Sequence, residues 1–146
     1  MEFRVNIYIE TSRRGPSEGK GKYIYVLEYM LKDGTPYTKD GTETFEKINE
    51  NKLVLKEIIA AGKRLTKPCS IRIFTGCNHV LSTTHNGWHI EWQKNGWKKK
   101  NDKPINNAAL WEELVTVLDK HAVTYTKDEH SYKRWMREQL EGEQNV

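Results

Sequence analysis

The segment that decides the fold reads Trp88-His89-Ile90-Glu91-Trp92-Gln93-Lys94-Asn95-Gly96-Trp97-Lys98. Trp88 and Trp92 are four residues apart, a spacing that places both indoles on one face of a helix. Gly96 is a residue typical of helix ends, and two more lysines follow Lys98 directly. The segment therefore predicts a short helix that presents aromatic rings and ends in a dense group of positive charges.

The chain that follows this segment predicts a helix, a strand and a second helix. Residues 107–121 place Leu110, Leu114 and Leu118 at helical spacing, which indicates one buried face. Residues 122–126 contain β-branched and aromatic side chains and predict a strand. Residues 131–140 return to a helical pattern, so a final helix is expected there.

The chain before this segment begins with strand-like patterns. Residues 4–10 alternate between apolar and polar side chains, a period of two that indicates a half-buried strand. Residues 23–31 are aromatic and β-branched and predict a second strand. The pairs Asp33-Gly34 and Asp40-Gly41 are turn signals, so a third, antiparallel strand is expected over residues 42–45.

The period then changes to that of a helix. Residues 49–65 place apolar side chains on one helical face, and Pro68 stops that helix. Residues 70–74 predict a fourth strand, which arrives by a helical crossover, and Asn78 begins a further short helix.

The predicted order is β-β-β-α-β-α-α-α-β-α. The first three strands form an antiparallel meander, and the later strands arrive by crossovers, which are right-handed. We therefore predict an α/β fold with a five-stranded mixed sheet and helices on both of its faces. The sequence contains no internal repeat and no linker, so residues 1–146 are expected to form a single domain.

Composition indicates the class of partner. The chain of 146 residues has a net charge of +4 and a pI of about 9.0, which favours anionic partners. No apolar run approaches the roughly 20 residues that span a bilayer, and the first residues lack the pattern of a secretory signal. Cys69 and Cys77 show neither disulfide nor metal-site spacing. We expect a cytoplasmic monomer that does not bind a membrane.

Several segments together resemble bacterial ribonuclease H. The segment quoted above resembles the basic protrusion of that family, with its two helical tryptophans and its Gly-Trp-Lys end. Lys103-Pro104-Ile105-Asn106-Asn107 resembles the start of the family's next helix, and Val5-Asn6-Ile7-Tyr8-Ile9-Glu10-Thr11-Ser12 resembles its first strand. The resemblance covers nearly the whole chain and implies a ribonuclease H-like fold. We call residues 88–100 the protrusion.

The resemblance also implies a chemistry, for which this chain lacks most of the residues. The family hydrolyses the RNA strand of an RNA–DNA hybrid with two Mg²⁺ ions, which four acidic residues hold roughly 4 Å apart. The matching positions here are Glu10, Val54, Gly76 and Met136. Only Glu10 is a carboxylate, and one carboxylate cannot hold two divalent ions. We therefore expect no bound metal, no other cofactor, and cleavage that is impaired or absent.

Nearby acids leave an active enzyme open as an alternative. Glu50 and Glu57 lie about one turn on either side of Val54, and Glu138 lies on the last helix. Moving a ligand by one helical turn displaces its oxygen by about 5 Å, which is far outside the tolerance of a catalytic site. If these acids nevertheless took over, the protein would be a Mg²⁺-dependent hybrid ribonuclease.

The residues of the family's binding surface are better represented. Asparagines at the start of the first helix and after the fourth strand would contact the minor groove of the duplex. Lysines of the protrusion would neutralise phosphates, whereas Trp92 is expected to hold the small core of the protrusion. The predicted partner is an RNA–DNA hybrid or double-stranded RNA. The candidate binding residues are Asn49, Asn51, Asn78, Trp88, Trp92, Lys94, Lys98, Lys99 and Lys100.

Two further interpretations remain open. Apolar Val54 and Met136 could fill the former acid site and leave a module that binds a protein partner. His85 and His89 have a spacing that can ligate zinc on a helix, although no third ligand is evident. Trp111 and Trp135 are predicted to be core residues.

Overall fold

The computed structural model describes residues 3–142, and its element order is the predicted one. The strands pair in the order β3-β2-β1-β4-β5. β1 is antiparallel to β2, and β2 to β3, whereas β4 is parallel to both β1 and β5. The predicted five-stranded mixed sheet is therefore confirmed. The elements are β1 (Phe3–Thr11), β2 (Gly19–Met30), β3 (Pro36–Ile48), α1 (Glu50–Lys63), β4 (Cys69–Phe74), α2 (Asn78–His85), α3 (Trp88–Lys94), α4 (Ala108–Leu118), β5 (Ala122–Thr126) and α5 (Lys133–Gly142).

Alternation along β1 divides the apolar side chains between two packed layers. Ile7 and Ile9 belong to a large cluster with residues of α1 and α4. Tyr8 points to the opposite face and packs in a smaller cluster with Met136 and Leu140 of α5. The sheet is thus covered by α1 and α4 on one side and by α5 on the other, as expected for helices on both faces.

The third strand is longer than its sequence pattern predicts. It begins at Pro36 and runs through the Asp40-Gly41 pair, which had indicated a turn. Gly41 instead pairs with Tyr25, and a Cβ at this position would collide with the ring of that tyrosine. The glycine is required by this close approach within the sheet. The turn predicted at Asp33-Gly34 is confirmed, since Gly34 has a φ of +85° and its N–H donates to the Leu31 carbonyl at 2.9 Å.

Of the two tryptophans predicted to be core residues, one is buried and the other is exposed. Trp111 of α4 is fully buried in the large core cluster, which confirms the prediction. Trp135 is 41% exposed on α5, so that prediction is wrong. The buried residues of α5 are Met136 and Leu140, four apart, and Trp135 falls outside their stripe. No helix within residues 3–142 is long and apolar enough to cross a membrane.

Candidate nucleic-acid interface

The positions aligned with the acidic residues gather where two parallel strands end. β1 and β4 are adjacent, so Glu10 near the end of β1 lies beside Gly76, which follows β4. A small cleft is lined by Glu10, Val54 and Gly76 together, with Val54 contributed by the first turns of α1. Three of the four positions identified from sequence therefore converge as predicted.

Met136, the fourth predicted position, is not among the residues that line this cleft. That side chain is fully buried and packs with Tyr8 in the cluster beneath α5, so its predicted orientation toward Glu10 is wrong. The next residue, Arg137, faces the site instead, with Nη1 at 3.6 Å from Oε1 of Glu10. Successive residues of a helix point about 100° apart, so a shift of one residue changes the face completely. We call Glu10, Val54, Gly76 and Arg137 the strand-end site.

Cations surround the remaining carboxylate. Arg137 also donates from Nη1 to the Thr11 carbonyl at 2.8 Å, which fixes its position beside Glu10. A Cβ built on Gly76 would lie 3.6 Å from Nη1 of Arg14, so the Arg14 guanidinium reaches the position of the third acid. Burial raises the pKa of Glu10, and the lowering effects of Arg137, Lys133 and Arg14 oppose that rise.

The displaced acids near α1 are engaged in supporting the fold. Glu50 lines the small cleft, but its Oε1 accepts a hydrogen bond from the Gly15 N–H at 3.0 Å. Glu57 is fully buried, and its Oε2 accepts from the backbone N–H of Glu10 at 3.3 Å. Burial raises the pKa of Glu57 well above its usual range, which favours a neutral carboxylic acid there. Glu57 therefore lies in the core, beneath the site.

The acids near the last helix are paired on the surface. Glu138 lies 3.4 Å from Nε of Arg134, and Asp128 lies 2.9 Å from Nη2 of Arg72. Neither of these two pairs includes a residue of the strand-end site.

The strand-end site does not fit the two Mg²⁺ ions of the family. Magnesium requires several oxygen ligands, and here Glu10 offers one carboxylate next to two guanidinium groups. Across residues 3–142, no three His, Cys, Asp or Glu side chains lie close enough together to hold a metal ion. The zinc spacing of His85 and His89 has no structural counterpart. His85 contacts the Tyr125 carbonyl through Nε2 at 2.9 Å, and His89 packs near the Trp111 ring.

The three candidate asparagines differ in how much of their hydrogen-bonding capacity is already used. Asn49 caps α1, and its Oδ1 accepts from the Lys52 N–H at 3.0 Å, so its Nδ2 and the second lone pair of Oδ1 are left for a ligand. Asn51 is half-buried, with its Oδ1 at 3.5 Å from Sγ of Cys77. Asn78 is exposed at the start of α2.

The protrusion holds its tryptophans in two different environments. Trp92 packs edge-to-face against buried Trp111, with ring centroids 5.8 Å apart, which confirms its predicted role in the protrusion's core. Trp88 is 47% exposed at the start of α3, where its ring is accessible to a ligand.

An ordered loop presents the lysines of the protrusion. The Lys99 N–H donates to the Lys103 carbonyl at 2.7 Å, and the Ile105 N–H donates to the Trp97 carbonyl at 3.0 Å. These bonds close the loop against the end of α3. The side chains that it and α3 expose to solvent are Lys94, Lys98, Lys99, Lys100 and Lys103.

Sequence reasoning missed Arg14 and Arg137 as residues of the interface. A signal for Arg137 was available, because Met136 and Leu140 are apolar and four apart and therefore share a buried face. That pattern places residue 137 on a different face. Arg14 lies in a Gly-, Ser- and Pro-rich loop, for which the sequence carries no comparable periodicity.

Comparisons with known proteins agree with this architecture. Residues 3–128 match the family profile described as RNase H. The Ribonuclease H of Nitratidesulfovibrio vulgaris is 33% identical over 136 residues, which cover 93% of this chain and 78% of the relative. A solved type 1 RNase H with the type 2 active-site motif has a TM-score of 0.77 at 20% identity, over 95% of this chain and 71% of that one. The foamy viral protease-reverse transcriptase in complex with an RNA/DNA hybrid has a TM-score of 0.68 at 13% identity, over 99% of this chain and 20% of that one. On the match of its sequence from the first strand to residue 128, this chain belongs to the RNase H family.

Proposed function

We propose that this protein binds nucleic acid as a member of the RNase H family in which metal-dependent cleavage is impaired or absent. Its partner is an RNA–DNA hybrid or a double-stranded RNA, duplexes that share A-like geometry. The observation that carries the proposal is the composition of the strand-end site. Val54, Gly76 and Arg137 stand around Glu10, and Glu50, the other carboxylate that lines the small cleft, already accepts the Gly15 N–H.

The protrusion supports the binding half of the proposal. Its exposed lysines lie on a loop whose backbone is closed by hydrogen bonds, so their charges are held together on one part of the surface. Grouped lysines neutralise phosphates and release counterions, which gives affinity that falls steeply with salt. Exposed Trp88 adds an aromatic face that can pack on sugars or bases.

One observation favours the alternative of residual hydrolysis. Glu50 lines the same small cleft as Glu10, so two carboxylates border it. Against a catalytic role, the Glu50 Oε1 atom already accepts the Gly15 N–H, and Arg137 lies beside Glu10. The alternative of a partner-binding module has little support, because Met136 is in the core and Val54 is only 2% exposed.

The test is a titration of a fluorescently labelled RNA–DNA hybrid with the protein in EDTA, in Mg²⁺ and in Mn²⁺. Anisotropy follows binding, and a denaturing gel follows cleavage of the RNA strand. We expect salt-sensitive binding in all three conditions and intact RNA in each. A cleaving ribonuclease H on the same hybrid is the control for substrate integrity. Metal-dependent cleavage that Glu50→Gln abolishes would contradict the proposal and establish the hydrolytic alternative.

A further inference from the structure

A second, larger cleft opens beside the strand-end site. Its volume is about 210 Å³, and it lies between the ends of β1 and β4 and the loop that leads into α5. Glu10, Thr75 and Gly76 form one side of it. The remaining lining residues are Arg14, Phe74, Lys127, Asp128, Glu129, His130 and Lys133.

The acidic side chains of this larger cleft are already paired. Glu10 lies against Arg137 at 3.6 Å, and Asp128 contacts Arg72 at 2.9 Å, where Arg72 is outside the lining. Glu129 is held by Lys133 at 3.1 Å. Each carboxylate thus has a cationic partner within the 4.0 Å that defines an ion pair.

Two cations of the cleft have no such partner. Among residues 3–142, no carboxylate lies within ion-pair distance of Arg14 or Lys127, and both side chains belong to exposed residues. With Arg137 and Arg72 counted beside the lining residues, five cations stand against three carboxylates, so the cleft and its immediate surroundings carry an excess of positive charge.

Arg14 has the geometry to use that charge on an anion. Its Nη1 would lie 3.6 Å from a Cβ built on Gly76, so the guanidinium lies beside the Gly76 backbone in the cleft that both residues line. A guanidinium presents a planar fork of N–H donors that matches two oxygens of one phosphate. A lysine ammonium adds a point charge that follows the phosphate without a fixed geometry.

We propose that this cleft binds a backbone phosphate of the nucleic acid through Arg14 and Lys127, so that side-chain cations replace the divalent metal ions of the family. The inference rests on the proposed function and extends it, because it assigns a ligand to the former catalytic position. Affinity for the duplex is then independent of divalent metal at constant ionic strength.

The experiment measures hybrid binding by Arg14→Gln, Lys127→Gln and the double variant over a series of salt concentrations. Each lost phosphate contact lowers the slope of log affinity against log salt by about 0.9, so the double variant loses about 1.8. Its affinity near 0.1 M salt should fall roughly tenfold or more. Arg14→Lys keeps the charge and should retain the slope, a result that a purely structural role of Arg14 would not produce. The matched control is Arg134→Gln with Lys120→Gln, which removes one arginine and one lysine from exposed positions outside the cleft.

The outcomes separate this inference from the proposed function. Wild-type binding with an unchanged slope in the double variant overturns the phosphate site and leaves the proposed function intact. Equal losses in the double variant and in its control also overturn the site, since they would reflect net charge alone. A wild-type affinity that requires Mg²⁺ overturns it as well. Failure of the wild-type protein to bind the hybrid overturns both.

Discussion

The strand-end site and the protrusion differ in how many of the side chains expected from the resemblance they present. At the strand-end site, Val54, Gly76 and Arg137 surround Glu10. In the protrusion, the expected tryptophans and lysines are present, and they are held by packing on Trp111 and by a closed loop. Cleavage requires several carboxylates to converge within a fraction of an ångström, whereas phosphate binding requires only charge on a surface. The two regions can therefore diverge independently.

The largest effect should come from testing which residue of α5 belongs to the strand-end site. Met136→Asp places a carboxyl group in an apolar cluster, so we expect a loss of at least about 4 kcal/mol of unfolding free energy. Arg137→Asp should lose about 1–2 kcal/mol, because it removes the bond to the Thr11 carbonyl at a half-buried position. Urea denaturation measures both. A smaller loss for Met136→Asp than for Arg137→Asp would place Met136 at the site after all.

The next largest effect concerns the lysines of the protrusion, whose replacement should weaken hybrid binding without lowering the stability of the fold. Replacing Lys98, Lys99 and Lys100 together by Gln should lower the salt slope of hybrid binding by about 2.7 and reduce affinity on the order of 100-fold. The melting temperature should stay within about 2 °C of the wild-type value, since these side chains are exposed. The control is Lys39→Gln with Lys67→Gln and Lys120→Gln, which removes the same charge from positions remote from the protrusion. An equal loss in both triple variants would mean that net charge, and not the protrusion, governs binding.

A third, smaller effect should appear when the acids are restored. In the combined variant Val54→Glu, Gly76→Asp and Arg137→Asp, three new carboxylates join Glu10 and the Arg137 guanidinium is lost. Arg14 can pair with only one of the carboxylates, so the others repel one another. We expect its melting temperature without metal to fall by several degrees, and Mg²⁺ to recover part of that loss by binding the folded state. The wild-type melting temperature should not respond to Mg²⁺. An unchanged or higher melting temperature of the metal-free variant would refute the expected repulsion.

The last prediction concerns the pH dependence of stability that comes from Glu57, the acid beneath the site. The pKa of Glu57 is raised in the folded state, so the folded state holds its proton more tightly than the unfolded state. Protonated Glu57 therefore stabilises the fold. This stabilisation is fully present below about pH 4.5, the usual pKa of a glutamate, and is lost as the pH rises through the pKa of the folded state. Glu57→Gln keeps an acceptor for the Glu10 N–H and removes the titration.

The measurement for Glu57 is urea denaturation between pH 5 and pH 7. The stability of Glu57→Gln relative to wild type should increase by up to about 1.4 kcal/mol per pH unit until the folded pKa is reached. Glu138→Gln, at an exposed position, serves as the control for the removal of a carboxylate as such. A constant difference between Glu57→Gln and wild type would show that Glu57 is ionised within the core.

The sequence alone predicted the five-stranded sheet and the order of its strands and helices, because the period of the apolar residues depends directly on which side chains are buried. The alternation at Ile7, Tyr8 and Ile9 identified a two-faced strand, and the spacing of Trp88 and Trp92 identified the helix of the protrusion. The turn predicted at Gly41 was wrong. In a sequence, a glycine that makes room for a neighbouring tyrosine ring cannot be distinguished from one that forms a turn.

The site was harder to predict than the fold, because alignment fixes a position only to within a residue where the pattern is weak. Glu10, Val54 and Gly76 lie in segments anchored by strong patterns, and all three were placed correctly. On α5 the expected residue, Met136, is buried in the smaller cluster, and the next residue, Arg137, lies beside Glu10 instead. Arg14 reaches the site from a loop, through a contact between residues far apart in sequence that no local pattern encodes.

The proximity of Arg14 to Gly76 also determines how an acidic residue introduced at this end of the sheet would behave. A mutation of Gly76 to aspartate would place the new carboxylate next to the Arg14 guanidinium, where it would form an ion pair before it could serve as a metal ligand. An acid at position 137 alone would replace the cation that now lies beside Glu10 and would have that carboxylate as its neighbour. An acid introduced at this end of the sheet would therefore meet a cation first, and Arg14 and Arg137 would both have to be replaced before carboxylates alone could gather there.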